Sequence, residues 1–452
     1  MKYSIDYKYV RPKKGKLLKE WHETCFASEG PIKFRQELSS KEYQNAVILP
    51  LRRSAGSGLL FGMGGVVDQS GLYIENSGIA DRIFGKYEIT GECIVHQNVV
   101  YCGYLVNQWG HFLIEAVSRL WYCLEYGDDE IDRYVFFIEE NETRDLSGNY
   151  EEFLTLLGIR DKIEIITKPT RYDKVIIPEL SYKRREYYSK QFRNIYLKVV
   201  ENALKQQRDE ESAEAVINKR VYMTRSAIPT AAMSDIGGVM LDNWFSKNGF
   251  RIVSPEKMSL SELIRVLNNA DVVAAISGTL PHNFLFCQSG TKALIVERFA
   301  LVNEIQCDIN IINSLDVTYI DANLFLYPVG VSIGPFLIYF NTYMAKYAED
   351  NGMAIPDKRF LTDKWKKKIY NNYMDTYLVH YGRGWFFPDW YAEQLSIMHE
   401  AYQDTIKELG NYVNGRFGAK IIDRMYEITV KQKCRAAQKK IIGVTKNILM
   451  RG

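Results

Sequence analysis

NGFRIVSPEKMSLSELIRVLNNADVVAAISGTLPHNF, residues 248–284, reads as strand, helix and strand in succession. FRIVSP (250–255) and DVVAAI (271–276) are short β-branched runs, and the segment between them repeats apolar residues at helical spacing. Ser259 and Glu262 form an S-x-x-E capping box at the helix start, and Gly249 stands where a preceding helix ending at Asn248 needs a left-handed residue.

The same rhythm continues on both sides. RVYMTR (220–225) and KALIVE (292–297) read as strands, with a helix after Ser234. Strands separated by helices must return to the same end of a sheet, so this alternation predicts a parallel sheet covered by helices. Further upstream, NAVILP (45–50), CIVHQNVVYC (93–102), YVFFI (134–138), IEII (163–166) and KVIIP (174–178) read as a second set of strands. Between them QWGHFLIEAVSRLWYCLEY (108–126) reads as one core-facing helix. The fold class expected is α/β with two Rossmann-like domains. Residues 1–205 form an N-terminal α/β domain ending in a linker helix, 206–345 a second domain, and 346–452 a helical extension with a basic tail. That extension is either an appendage or a helical return to the first domain.

Composition excludes several classes. With 58 basic and 55 acidic residues the net charge is +3, so no nucleic-acid partner is expected. Seven cysteines lie scattered without CxxC pairs, which fits free thiols in a reducing compartment. No apolar run approaches the ~20 residues that cross a bilayer, so a cytoplasmic protein is expected. The end of the chain, CRAAQKKIIGVTKNILMRG (434–452), sets Ile441, Val444 and Ile448 among Lys439, Lys440, Lys446 and Arg451. It has two readings: a peripheral contact with the inner face of the plasma membrane, or a terminal helix docked on the first domain. No Asp-x-Asp triplet, phosphate-binding P-loop or G-x-S-x-G elbow occurs, so no metal and no cofactor are expected.

Three places could carry chemistry. The loop ISGTLPHN (276–283) leaves a strand at its carboxyl end, where backbone N–H groups and a helix start can hold an anion; Gly278 allows close approach, and Ser277 and Thr279 add hydroxyls. An ordinary strand-to-helix turn fits the spacing equally well. His111, Glu115 and Arg119 recur every four residues and would form one polar stripe on a helix, either around a reacting hydroxyl or as a simple Glu115–Arg119 surface pair. Arg225 and Glu297 end strands, where a guanidinium could take a diphosphate and a carboxylate could accept from ribose hydroxyls.

GGVVDQSGLYIENS (64–77), NQWGHFLIEAVSRLWY (107–122), VYMTRS (221–226), the stretch 248–286 and GTKALIVERF (290–299) together resemble glycosyltransferase family 61, particularly bacterial members of capsular polysaccharide biosynthesis. The resemblance implies a GT-B arrangement of two domains facing a cleft. It implies metal-independent, inverting transfer from a nucleotide-sugar donor, held by the second domain, to a glycan or lipid-linked glycan acceptor. Gly278, His282 and Asn283 match the family loop in its bacterial form, and Asp235 stands where the family has the Glu of an Asn-Glu pair. On this reading His111 is the base, oriented or replaced by Glu115. Arg225, Ser277 to Thr279 and His282 hold the leaving diphosphate. The rival is a non-catalytic nucleotide-sugar-binding scaffold of a membrane-associated assembly complex.

Overall fold

The structure is a computed structural model that describes residues 4–26, 33–53, 62–79, 83, 85–127, 130–184, 186–209, 219–300, 303–326, 334–381 and 395–409. The basic tail lies outside the described residues. The chain opens with strand β1 (Ser4–Tyr9) and helix α1 (Pro12–Phe26).

The first six-stranded sheet has the order β4 (Gly62–Val67), β3 (Ser40–Arg53), β8 (Thr170–Pro178), β5 (Cys93–Tyr104), β6 (Arg133–Phe137) and β7 (Ile163–Ile166). Five of its strands coincide with the apolar runs expected between 45 and 178, and β4 is a strand that those runs did not include. The last four are parallel, whereas β3 runs antiparallel to both β4 and β8, so this sheet is mixed.

The second sheet has the order β1, β16 (Asp316–Asp321), β15 (Lys292–Glu297), β14 (Val272–Ile276), β11 (Arg220–Met223) and β13 (Arg251–Val253). All its pairings are parallel, as the strand–helix rhythm requires. From β11 the chain first moves outward to β13 and then returns to β14 on the other side, so the strand order reverses between β11 and β14. One element departs from the expected boundaries. The first strand pairs not with its sequence neighbours but with Asp316–Ile320, adding a sixth strand to the second sheet.

Three helices join the layers. α4 (Gly148–Leu157) and α5 (Lys190–Asp209) pack together, and α5 also packs on α8 (Leu260–Asn268). Ser259 accepts from the Glu262 N–H in the expected capping box. Glu152 of α4 adds a second cap from across the junction, accepting from the backbone N–H groups of Leu260 and Ser261, both at 2.7 Å. A carboxylate on unpaired N–H groups at a helix start is favoured by the local dipole.

The 108–126 segment is not one helix. It divides into α2 (Trp109–Ile114), a 3-10 turn at Ala116–Arg119 and α3 (Tyr122–Glu125). The cause is tertiary: the Ser118 carbonyl, which would accept from Tyr122 in a helix, accepts from Ser181 N and Oγ instead. Residues 116–119 are all buried, so the amphipathic pattern does not extend through them.

Two small sheets complete the fold. β2 (Lys33–Arg35), β10 (Tyr187–Ser189) and β9 (Tyr182–Lys183) form a ribbon beside the first sheet. β12 (Asp235–Ile236), β18 (Phe336–Ile338) and β17 (Asn323–Leu324) form another beside the second. The described part of the extension packs on the second layer: α11 (Asp363–Tyr381) lies against β18 and β12, and α12 (Leu395–Leu409) against β17 and α1.

Candidate active site

A cavity of about 250 Å³ opens where the strand order of the second sheet reverses. Its lining includes Tyr222 and Thr224 at the end of β11, Arg225 just beyond, and Ile276 at the end of β14. Parallel sheets bind ligands at such a reversal because adjacent loops leave in opposite directions and open a crevice. The segment Asp235 to Gly238, leading into α7 (Val239–Lys247), forms another wall. Gly237 has φ +94°, and a Cβ there would lie 2.1 Å from the Ile338 carbonyl oxygen, so this tight approach requires glycine.

Among the described residues Arg225 and Lys368 are the cations in this lining. Arg225 Nη1 lies 3.3 Å from Asp235 Oδ2, while Asp235 Oδ1 accepts from Arg298 Nη1 at 2.6 Å. Arg225 is one-quarter exposed and Arg298 almost fully buried, so the carboxylate is shared between an accessible guanidinium and a buried one. Burial depresses the Arg298 pKa, and Asp235 opposes the shift. Arg298 also braces the predicted anion loop: its N–H donates to Ser277 Oγ at 3.1 Å. A Cβ on Gly278, whose φ is +129°, would meet Arg298 Nη2 at 2.6 Å. Ser277 is thus committed to the fold, and Gly278 lets the loop lie flat on a buried charge.

Two motifs distant in sequence meet at this loop. Trp109 Nε1 donates to Asn283 Oδ1 at 2.9 Å. A Cβ on Gly110 would stand 2.7 Å from Thr279 Cγ2 and 2.8 Å from His282 Nδ1. The start of α2 is therefore pressed onto the 3-10 turn Leu280–Phe286, which Thr279 precedes and Pro281 occupies at its second position. Next in the chain, His111 Nδ1 lies 2.9 Å from Glu115 Oε1, with both side chains about one-fifth exposed. A carboxylate on Nδ1 favours the tautomer that carries the lone pair on Nε2, the arrangement of an oriented base.

His282 is different. Burial, with His111 nearby, pushes its pKa down to about 3, so the ring is neutral and can donate only one N–H. His22 of α1 is pushed down to about 4 by burial, against the pull of its bond to the Leu18 carbonyl. In the unfolded chain both rings titrate near 6.5. The unfolded state then takes up protons that the folded state refuses. Stability is constant above that value and falls as pH drops towards 4 and 3. At about pH 5 each ring is expected to cost about 2 kcal/mol. A melting series between about pH 8 and about pH 5 should show this fall, smaller in His22→Gln.

Of the predicted donor residues Arg225 and Asp235 line the cavity, whereas Ser277, Gly278, Thr279, His282 and Asn283 stand outside its lining, and two further predicted residues lie elsewhere again. Arg119 does not join His111 and Glu115, because it sits in the 3-10 turn and donates through Nη1 and Nη2 to the carbonyls of Pro178 and Asn76. Glu297 faces away from the cavity and is 2% exposed, bonded to Lys14 Nζ at 2.6 Å. Its pKa is raised by burial, with Lys14 acting in the other direction.

The sequence reading also missed residues that line the cavity. Gly237 and Gly238 could have been found as a Gly-Gly pair directly before a helical pattern. Trp365, Lys368 and Asn372 come from α11, and no local pattern marks them as site residues. Among the described residues no group of three or more His, Cys, Asp or Glu side chains is placed to hold a metal ion. Among them, too, no helix is long and apolar enough to cross a membrane.

Residues 109–294 match the family model described as Glycosyltransferase 61. The match begins at the first residue of α2 and ends inside β15, so it takes in the His111–Glu115 pair and the cavity-lining residues from Tyr222 to Ile276, but not those from α11. No curated protein matches the chain.

Proposed function

Taking the chain as the glycosyltransferase this match supports, we propose that it transfers a sugar from a nucleotide donor to a glycan or lipid-linked glycan acceptor. The transfer proceeds with inversion and without a metal, in the synthesis of a capsular or other cell-surface polysaccharide. The carrying observation is Arg225 in the cavity at the strand reversal, paired with Asp235 at the longer distance of 3.3 Å. An incoming diphosphate offers that guanidinium better geometry than Asp235 does, and Arg298 keeps the displaced carboxylate compensated. Lys368 adds a second cation from α11, and the start of α7 a third favourable field.

The two sheets act as the halves of a GT-B arrangement, with the donor on the second and the acceptor hydroxyl delivered to His111. His111 takes the hydroxyl proton as the sugar–phosphate bond breaks, and Glu115 stabilises the imidazolium that forms. Arg225 stabilises the departing nucleoside diphosphate.

The test is a screen of the purified chain against a panel of nucleotide sugars, with and without EDTA, reading thermal stabilisation and nucleoside diphosphate release. One donor should stabilise the protein and be turned over, with EDTA having no effect. Loss of turnover in EDTA would overturn metal independence, and binding with no release under any acceptor would favour the scaffold. Arg225→Ala should weaken nucleoside diphosphate binding about 10- to 100-fold, the ~1.5–3 kcal/mol of a charge-assisted hydrogen bond. Titration calorimetry checks this, and unchanged affinity would sink the donor-site assignment.

A further inference from the structure

A larger cavity, of about 450 Å³, lies beyond the carboxyl end of β8 in the first sheet, where Glu179 and Leu180 line it. One wall is the segment from Tyr73 to Gly78, the other the ribbon that carries Arg35, Lys183 and Tyr187, and Arg119 forms part of the lining between them. The relocated Arg119 is what sets this cavity apart. Its guanidinium is 2% exposed, and its bonds to the Pro178 and Asn76 carbonyls are to neutral acceptors. Among the described residues no carboxylate forms an ion pair with it.

The other charges do not supply the missing anion. Glu179 lies 3.0 and 2.9 Å from Arg35 Nη2 through its two oxygens, and also accepts from the Ser39 N–H. Glu75, the remaining acid of the lining, is exposed, and Lys183 pairs with Glu186 outside the lining at 2.8 Å. Among the described residues the lining therefore holds three cations against two carboxylates, and none of those carboxylates pairs with the buried cation. Removing an ion from water without a counter-ion is costly. A fold that retains one beside an open cavity of saccharide size has a use for its charge. Burial lowers the Arg119 pKa, with Tyr101 acting in the other direction.

We propose that this cavity binds an anionic sugar of the acceptor, its carboxylate or phosphate lying against Arg119 and Lys183. The role as acceptor site rests on the transferase reading, while the binding itself does not. The site lies on the sheet that also carries His111, and Arg119 belongs to the segment that follows Glu115. The same short stretch of chain would thus hold the acceptor and activate its hydroxyl. The acceptor's charge would be read before the reaction begins.

The experiment uses the full chain and titrates glucuronate, glucose 6-phosphate and glucose by calorimetry, with uridine diphosphate measured in the same samples. At least one of the two anionic sugars should bind about tenfold or more tighter than glucose, and the binding should weaken with salt. The carboxylate and phosphate arms identify which group the natural acceptor bears. Lys183→Gln, a change at the partly exposed rim, should weaken the anionic sugar about threefold or more and leave uridine diphosphate unchanged. Arg119→Lys, which keeps the charge but loses the fork, should also weaken it, with folding checked by melting. Arg225→Ala should leave the anionic sugar unaffected, separating this cavity from the donor site. Equal binding of glucose, or anion binding that neither Lys183→Gln nor Arg119→Lys alters, would overturn the proposal. Uridine diphosphate bound with no anionic sugar bound would overturn it while leaving the transferase reading intact. An anionic sugar bound with no uridine diphosphate bound would support the cavity and count instead against the transferase reading.

Discussion

Alanine at His111 is expected to lower sugar transfer by about 10²- to 10⁴-fold while leaving nucleotide affinity close to that of the unaltered protein. The expectation follows from location. His111 pairs with Glu115 at 2.9 Å at the start of α2, and it does not line the cavity that holds Arg225. A base acts on the transition state, so its removal should appear in turnover and not in donor binding. Glu115→Gln should cost less, since the amide can still meet the ring but cannot stabilise an imidazolium. Single-turnover rates with saturating donor, beside a nucleotide titration, check both. A His111→Ala protein with full turnover would remove His111 from the chemistry. A protein that has lost donor binding as well would assign it to the donor site.

The second large effect concerns the N-terminal segment. Lys14 Nζ is fully buried and meets Glu297 Oε2 at 2.6 Å, the Phe299 carbonyl at 2.8 Å and Asp321 Oδ1 at 3.7 Å. Arg11 extends the network to Asp321 at 2.8 Å and to Asp404 of α12 at 3.1 Å. Lys14→Met leaves buried Glu297 without its cation, while Asp321 keeps Arg11, and this should destabilise the protein by about 3–5 kcal/mol. The penalty should shrink as pH falls, because protonating Glu297 removes the charge that has lost its partner. Glu297→Gln placed on the Lys14→Met background should recover part of the loss, because the uncompensated anion is then gone. Urea unfolding of the two variants at two pH values decides it. Equal stability of Lys14→Met and the unaltered protein would mean that water reaches the network.

Much of the second sheet was legible because its signals are local. Val272–Ile276 is a continuous apolar run, and the Ser259–Glu262 cap involves groups three residues apart. Such interactions are encoded within one turn or one strand and survive in any context. The 108–126 segment was misread as one helix for the opposite reason. Its pattern is helical throughout, but the Ser118 carbonyl is taken by Ser181, 63 residues away. The candidate site was half legible. Arg225 lies at a strand end, where a parallel sheet places ligands, and lines the cavity; the loop from Ser277 to Asn283 leaves the same edge but is not in the lining, and Lys368 and Asn372 reach the cavity only through the packing of α11.

Composition and periodicity therefore determined that this chain builds two α/β layers, which residues form the parallel strands, and that the loop after Ile276 stands at a carboxyl edge. These depend on backbone hydrogen bonding and on burying one face, both of which repeat at short, fixed spacing. Only the tertiary structure decided that Trp109 meets Asn283 across 174 residues, that the first strand joins the second sheet, that Lys14 claims Glu297, and that Arg119 leaves its stripe for another cavity. Each of those depends on long-range charge and shape complementarity. A buried ion accepts whichever partner the fold brings within reach, and the order of residues along the chain does not record which one that is.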